Sequence, residues 1–141
     1  MDQEVTDVLA DLVRIRSVNP ADGDASVGGR NETEVAAYVR DYLARLGLEP
    51  QVQEVAPHRV NIYAATEGAP SEPVLLFEAH TDTVPAETWD GDAWDPQVRD
   101  GRMYGRGACD CKGALAAMLV ALRRLLALGR RRYGVMMLAA C

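Results

Sequence analysis

The chain has 141 residues, 48% of them hydrophobic and 26% charged, which is enough apolar material for the core of one domain or most of one. Its 15 lysines and arginines against 21 aspartates and glutamates leave a net charge of -6, which excludes nucleic acid as a partner because that needs a basic patch. No apolar run approaches the roughly 20 residues of a membrane span, Met1-Asp2-Gln3-Glu4 shows no leader, and three cysteines are too few for a disulfide framework, so a cytoplasmic setting is expected.

Val5, Val8, Leu9, Leu12 and Val13 fall at helical spacing over residues 4–16, with acidic residues at the start where the helix dipole favours them. Residues 17–30 read as a loop. Asn31 followed by Glu34 resembles a capping box, and Val35, Tyr38, Val39, Tyr42, Leu43 and Leu46 form an apolar stripe that Gly47 ends. Residues 51–55 and 59–65 alternate as half-buried strands do. Val74 to Phe77 is a continuous apolar run, the pattern of a strand buried on both faces. Residues 84–101 read as one long loop, which beyond a strand end often carries function. Leu115, Met118, Leu119, Leu122, Leu125 and Leu126 mark a helix from about Lys112 to Leu128, stopped by Gly129, and Gly134 to Ala140 is a second buried strand. The order predicts an α/β fold, a three-layer sandwich with a mixed, mostly parallel sheet between helices.

The residues that carry chemistry lie at two strand or loop ends. His80 closes the run that begins at Leu75, and Asp82 follows two residues later, on the same side if the strand persists. A metal-bound imidazole needs a carboxylate or carbonyl on its other nitrogen, a role open to Asp82. Alone, a His-x-Asp reads equally as a strand end with a solvated carboxylate. Asp110 lies thirty residues on, in the glycine-rich stretch Gly105-Arg106-Gly107-Ala108-Cys109-Asp110-Cys111-Lys112-Gly113. A carboxylate there can bridge metal ions or cap the following helix. Cys109 and Cys111 form a Cys-x-Cys pair that could join His80 on zinc, but this spacing is unusual for structural zinc and both read as small packing residues. Cys141 reads as strand packing, His58 as an exposed turn residue, and Trp89 and Trp94 as loop anchors. Lys112 is the only lysine, which a lysine-poor composition explains.

Together, His80-Thr81-Asp82-Thr83-Val84-Pro85, Trp94-Asp95-Pro96 and the stretch from Gly101 to Gly113 resemble the zinc-dependent peptidase family of acetylornithine deacetylase, succinyl-diaminopimelate desuccinylase, aminoacylase and glutamate carboxypeptidase. The likeness runs over essentially the whole chain and includes Ser17-Val18-Asn19-Pro20. The family's Asp-Met-Lys-Gly reads Asp110-Cys111-Lys112-Gly113 here. The resemblance implies a zinc-exopeptidase-like catalytic domain that hydrolyses amide bonds in N-acyl amino acids or small peptides, using two zinc ions, with cobalt as an alternative. By the same resemblance His80 is a metal ligand, Asp82 the carboxylate that orients the site, and Asp110 the bridge between the ions, followed by a cis peptide bond. It also implies a Glu-Glu pair, a further carboxylate, a second histidine and a dimerisation domain, and no glutamate follows Glu87. Residues 1–141 are thus expected to be the amino-terminal part of a catalytic domain. Two protein ligands fall short of the usual three, so weak zinc binding and negligible turnover are expected of this chain alone. Completion by a partner chain and a non-catalytic metal-binding module stand as alternatives.

Overall fold

The computed structural model describes residues 2–19, 32–66, 74–129 and 134–141. Helix α1 (Gln3–Arg14) starts on Asp2, whose carboxylate accepts from the Val5 N–H. Helix α2 (Thr33–Arg45) begins at Glu32, and the expected cap Asn31 lies outside the described residues. Gly47, at φ +80, ends it: its N–H reaches the Ala44 carbonyl and that of Leu48 reaches Leu43, which satisfies two of the last carbonyls. Helix α3 (Lys112–Ala127) carries Leu115, Leu119 and Leu122 on its buried side and stops at Gly129 as the apolar stripe does.

Strands β1 (Gln51–Ala56), β2 (Arg59–Ala65), β3 (Val74–His80) and β6 (Gly134–Ala140) form one sheet in the order β1-β2-β6-β3. The β3–β6 pair is parallel and the other two pairs are antiparallel, so the sheet is mixed without being mostly parallel. A second, two-stranded sheet joins β4 (Gln97–Arg99) to β5 (Arg102–Tyr104). It lies across the end of the segment expected to be a loop. Three-residue strands are too short to show a period, although Asp100-Gly101, both at positive φ, is a hairpin-turn pair.

One face of the large sheet holds Ile62, Ala64, Ala79, Val135, Met137 and Ala139, and all three helices pack on it as a single cluster with Val8, Leu12, Val39, Leu43 and Leu119. The other face carries Tyr63, Leu76 and Met136, all exposed. The expected three-layer arrangement is therefore present, among the described residues, as two of its layers. Strand β3 is buried on one face only, with Leu76 49% exposed, in place of the two-sided burial its apolar run suggests.

Candidate metal centre

Parallel pairing puts the carboxyl ends of β3 and β6 side by side, with His80 opposite Ala140. This is the edge at which open α/β sheets place their sites. The chain leaves β3 through Thr81, whose N–H and hydroxyl both donate to the Ala140 carbonyl. The segment after α1 then runs alongside it. The Thr83 N–H donates to the Ser17 carbonyl, the Asn19 N–H to the Thr83 carbonyl, and the Ser17 hydroxyl to the Thr81 carbonyl at 2.7 Å. Ser17, Thr81 and Thr83 are buried, and these bonds satisfy their polar atoms.

This clamp fixes Asp82. One of its oxygens lies 3.0 Å from Nδ1 of His80 and the other accepts from the Asn19 amide at 2.8 Å. With a carboxylate and the Asp82 carbonyl both facing Nδ1, the proton belongs there and Nε2 is left as the donor atom. Nε2 lies 3.0 Å from Oδ1 of Asp110. His80 therefore sits between two carboxylates. Burial pulls its pKa down, but the hydrogen bond to Asp110 and the charge of Asp82 outweigh that, and the imidazole ends above its ordinary 6.5.

Asp110 is presented by a tight loop. Gly107, at φ +81, lies where a Cβ would come within 2.9 Å of the Thr83 methyl and 3.0 Å of Lys112 Cδ. A Cβ on Gly113 would collide with the Ala108 carbonyl oxygen. The peptide bond between Asp110 and Cys111 is cis, as the resemblance implied. Cys111, not Asp110, is the N-cap of α3, so the carboxylate is turned towards His80 instead of capping the helix. Its side chain is 87% exposed.

Lys112 anchors the loop from beneath. It is fully buried, its Nζ donates to the Ile15 carbonyl at 2.6 Å, and it lies 5.6 Å from the centre of the Trp94 ring. Burial pulls its pKa down to about 8. Arg16 approaches the same ring, and Arg106 stacks 5.1 Å over Trp89, so both tryptophans do anchor the long loop. A cleft of about 360 Å³ opens beside the histidine, lined by Asp82, Trp89, Tyr104, Arg106 and Asp110 among others. His58 is an exposed turn residue, as its neighbours suggested, although its carbonyl accepts from Thr33. Cys141 lies just beyond β6, where its N–H donates to Asn61.

The structure thus brings together His80, Asp82 and Asp110, the three residues singled out in the sequence. It adds Asn19 and Lys112, whose roles come from contacts 63 and 97 residues away and leave no local pattern. It also separates the Cys-x-Cys pair read as packing: unlike that of Cys109, the Sγ of Cys111 falls in the same cluster of donor atoms as His80 and Asp110. Burial, with the charges of Asp110 and Asp82, holds that thiol above its ordinary pKa. The donor set suits zinc: an imidazole nitrogen and a carboxylate oxygen stand 3.0 Å apart, and an opening of a few tenths of an ångström gives the separation of two donors on one tetrahedral ion with bonds of about 2.0–2.2 Å.

Residues 76–141 match the model of peptidase family M20/M25/M40. The succinyl-diaminopimelate desuccinylase of Xanthomonas euvesicatoria is 37% identical over 127 residues, which is 88% of this chain and 30% of that protein. Human carnosine dipeptidase 1 superposes with a TM-score of 0.79 at 26% identity, covering 98% of this chain and 32% of its own. An M20 family metallo-carboxypeptidase from Sulfolobus solfataricus gives the same TM-score at 25% identity, covering 99% and 31%. The chain spans about a third of the length of these relatives. Family model, curated relatives and solved structures agree, and the chain is similar to the amino-terminal part of the M20 metallopeptidases.

Proposed function

We propose that residues 1–141 supply the amino-terminal part of the catalytic domain of a metal-dependent hydrolase of amide bonds in N-acyl amino acids or small peptides. The observation that carries this reading is the chain of contacts from Asn19 through Asp82 and His80 to Asp110. In this reading His80 and Asp110 hold zinc and Asp110 bridges a second ion. The bound metal would lower the pKa of a water and polarise the scissile carbonyl. Asp82 holds the imidazole proton on Nδ1, and Asn19 holds Asp82. The tryptophan-lined cleft gives a small acylated amino acid a place beside the pair. The match to succinyl-diaminopimelate desuccinylases favours a dicarboxylic acyl group. Three free thiols favour a reducing, cytoplasmic setting.

Hydrolysis also needs a general base for the water. Asp82 and Asp110 are already engaged with His80, and among the described residues no further carboxylate lines the cleft. We therefore expect negligible turnover from these 141 residues alone. The bare face with Tyr63, Leu76 and Met136 supports completion by further polypeptide over a self-sufficient binding module. The test is zinc titration by calorimetry on the metal-free chain, with assay of an N-succinyl amino acid. Zinc binding that is lost in His80→Ala and Asp110→Ala, without turnover, is the expected result. Binding unchanged in both variants overturns the metal assignment, and zinc-dependent turnover by the chain alone overturns its incompleteness.

A further inference from the structure

We propose that Cys111 is a third protein ligand at this centre, so that the chain holds one thiophilic divalent cation through His80, Asp110 and the Cys111 thiolate. This rests on the reading of His80 and Asp110 as ligands and extends it to a side chain that the reading does not use. One nitrogen of His80, one oxygen of Asp110 and the Cys111 sulfur all lie within 4.8 Å of one another. Donors in a tetrahedral site with bonds of about 2.0–2.3 Å stand roughly 3.3–3.8 Å apart. The nitrogen and oxygen are 3.0 Å apart, and the sulfur, within 4.8 Å of both, has only a short distance to close.

The sulfur makes one hydrogen bond, which coordination can replace. Cys111 is the N-cap of α3 but makes no side-chain bond to the helix. Its thiol donates to the His80 carbonyl at 3.2 Å, which keeps it at the end of β3. The residue is half-buried, so an ion can reach it, whereas exposed Cys109 lies outside the cluster. On coordination the thiol proton passes to solvent, the bond to the carbonyl is given up, and a thiolate–metal bond forms. Three protein ligands leave a fourth position open, the arrangement of hydrolytic zinc. A thiolate in the set selects zinc, cobalt or cadmium over magnesium and calcium.

The experiment is a cobalt(II) titration of the metal-free, reduced chain, followed in the visible and near ultraviolet. The wild type and a Cys109→Ser/Cys141→Ser variant, in which Cys111 is the sole thiol, should both show ligand-field bands and a thiolate-to-cobalt charge-transfer band. Cys111→Ser should lose the charge-transfer band, and its cobalt affinity should fall by more than about tenfold, the lower end of what even outer partners of a ligand cost. Cadmium should displace the cobalt and magnesium should not. Ligand-field bands without charge transfer in the double variant overturn the assignment of Cys111 and leave His80 and Asp110 as ligands. Charge transfer that survives in Cys111→Ser moves the sulfur to another residue and also overturns it. No cobalt spectrum from a chain that circular dichroism shows to be folded overturns both readings.

Discussion

The two faces of the four-stranded sheet both carry large apolar side chains and lie in different surroundings. On one, Ile62, Val135, Met137 and Ala139 are sealed under three helices; on the other, Tyr63, Leu76 and Met136 look outward. Alternation along a strand divides neighbouring residues between these environments, so Met136 and Met137 differ in all but chemistry. An apolar residue is therefore no guide to its own burial. What decides is whether the chain at hand supplies a layer to cover it, and here the helices cover one side. The candidate centre sits where the two meet: His80 lies on the bare face by alternation, yet Asp82 holds its ring and is itself held by Asn19 from the segment after α1.

The sharpest way to break this comparison is to shorten one residue on each face. Leu119→Ala, under the helices, should cost about 3 kcal/mol in urea denaturation, whereas Leu76→Ala should cost less than about 1 kcal/mol. Equal losses would mean that the bare face is covered in solution. A second effect, of similar size, concerns Lys112, a cation sealed on the covered side. Lys112 has a folded pKa of about 8 against 10.5 unfolded, so between these values the unfolded chain binds more protons and stability rises with pH. The stability of the wild type relative to Lys112→Met should grow by up to about 3 kcal/mol from pH 8 to pH 10.5, since each pKa unit is about 1.4 kcal/mol. Taking the difference removes the tyrosines, which act oppositely: burial pushes Tyr38 up to about 12. A flat difference would show that the ammonium is solvated.

A smaller change sharpens the link between the faces. Asp82→Asn keeps the size of the side chain and removes the charge on Nδ1, and zinc affinity measured by chelator competition should fall by about 10–100-fold. The smallest effect belongs to His80. Its folded pKa is raised, so its protonated form stabilises the fold below pH 6.5, and that contribution disappears as pH rises through the folded value. Denaturation of the metal-free wild type and His80→Gln should diverge at acidic pH and converge above neutrality.

Helix limits and the residues that meet at the candidate site were largely legible in the sequence because both rest on local signals. The stripe from Val35 to Leu46 followed by Gly47 fixes α2 to within a residue or two, and the glycines around Asp110 announce a loop that Cβ atoms would block. What was hidden depends on distance along the chain. The Val74–Phe77 run reads as doubly buried because composition records apolarity and not the covering layer. The β4–β5 hairpin is too short to show a period. Asn19 reads as part of a loop until Thr83 runs beside it, and Lys112 passes for an accident of composition until the Ile15 carbonyl is found at its tip. Cys111 looked like packing because nothing in a Cys-x-Cys spacing reveals that one sulfur stands near His80 and the other does not.

The contacts that build the centre are almost all remote in sequence. Asn19 meets Asp82 across 63 residues, Ser17 meets Thr81 across 64, His80 meets Asp110 across 30 and Lys112 meets Ile15 across 97. Each closes a loop whose entropy must be lost before the contact returns anything. No helix or hairpin can preassemble such a site. As the chain emerges from the ribosome, α1 and α2 can form early, but Asp82 and His80 are held in place only once Asp110 and β6 have followed them out and the topology has closed. Ordering of the imidazole, followed by NMR during refolding, would thus report completion of the fold and lag behind the helices.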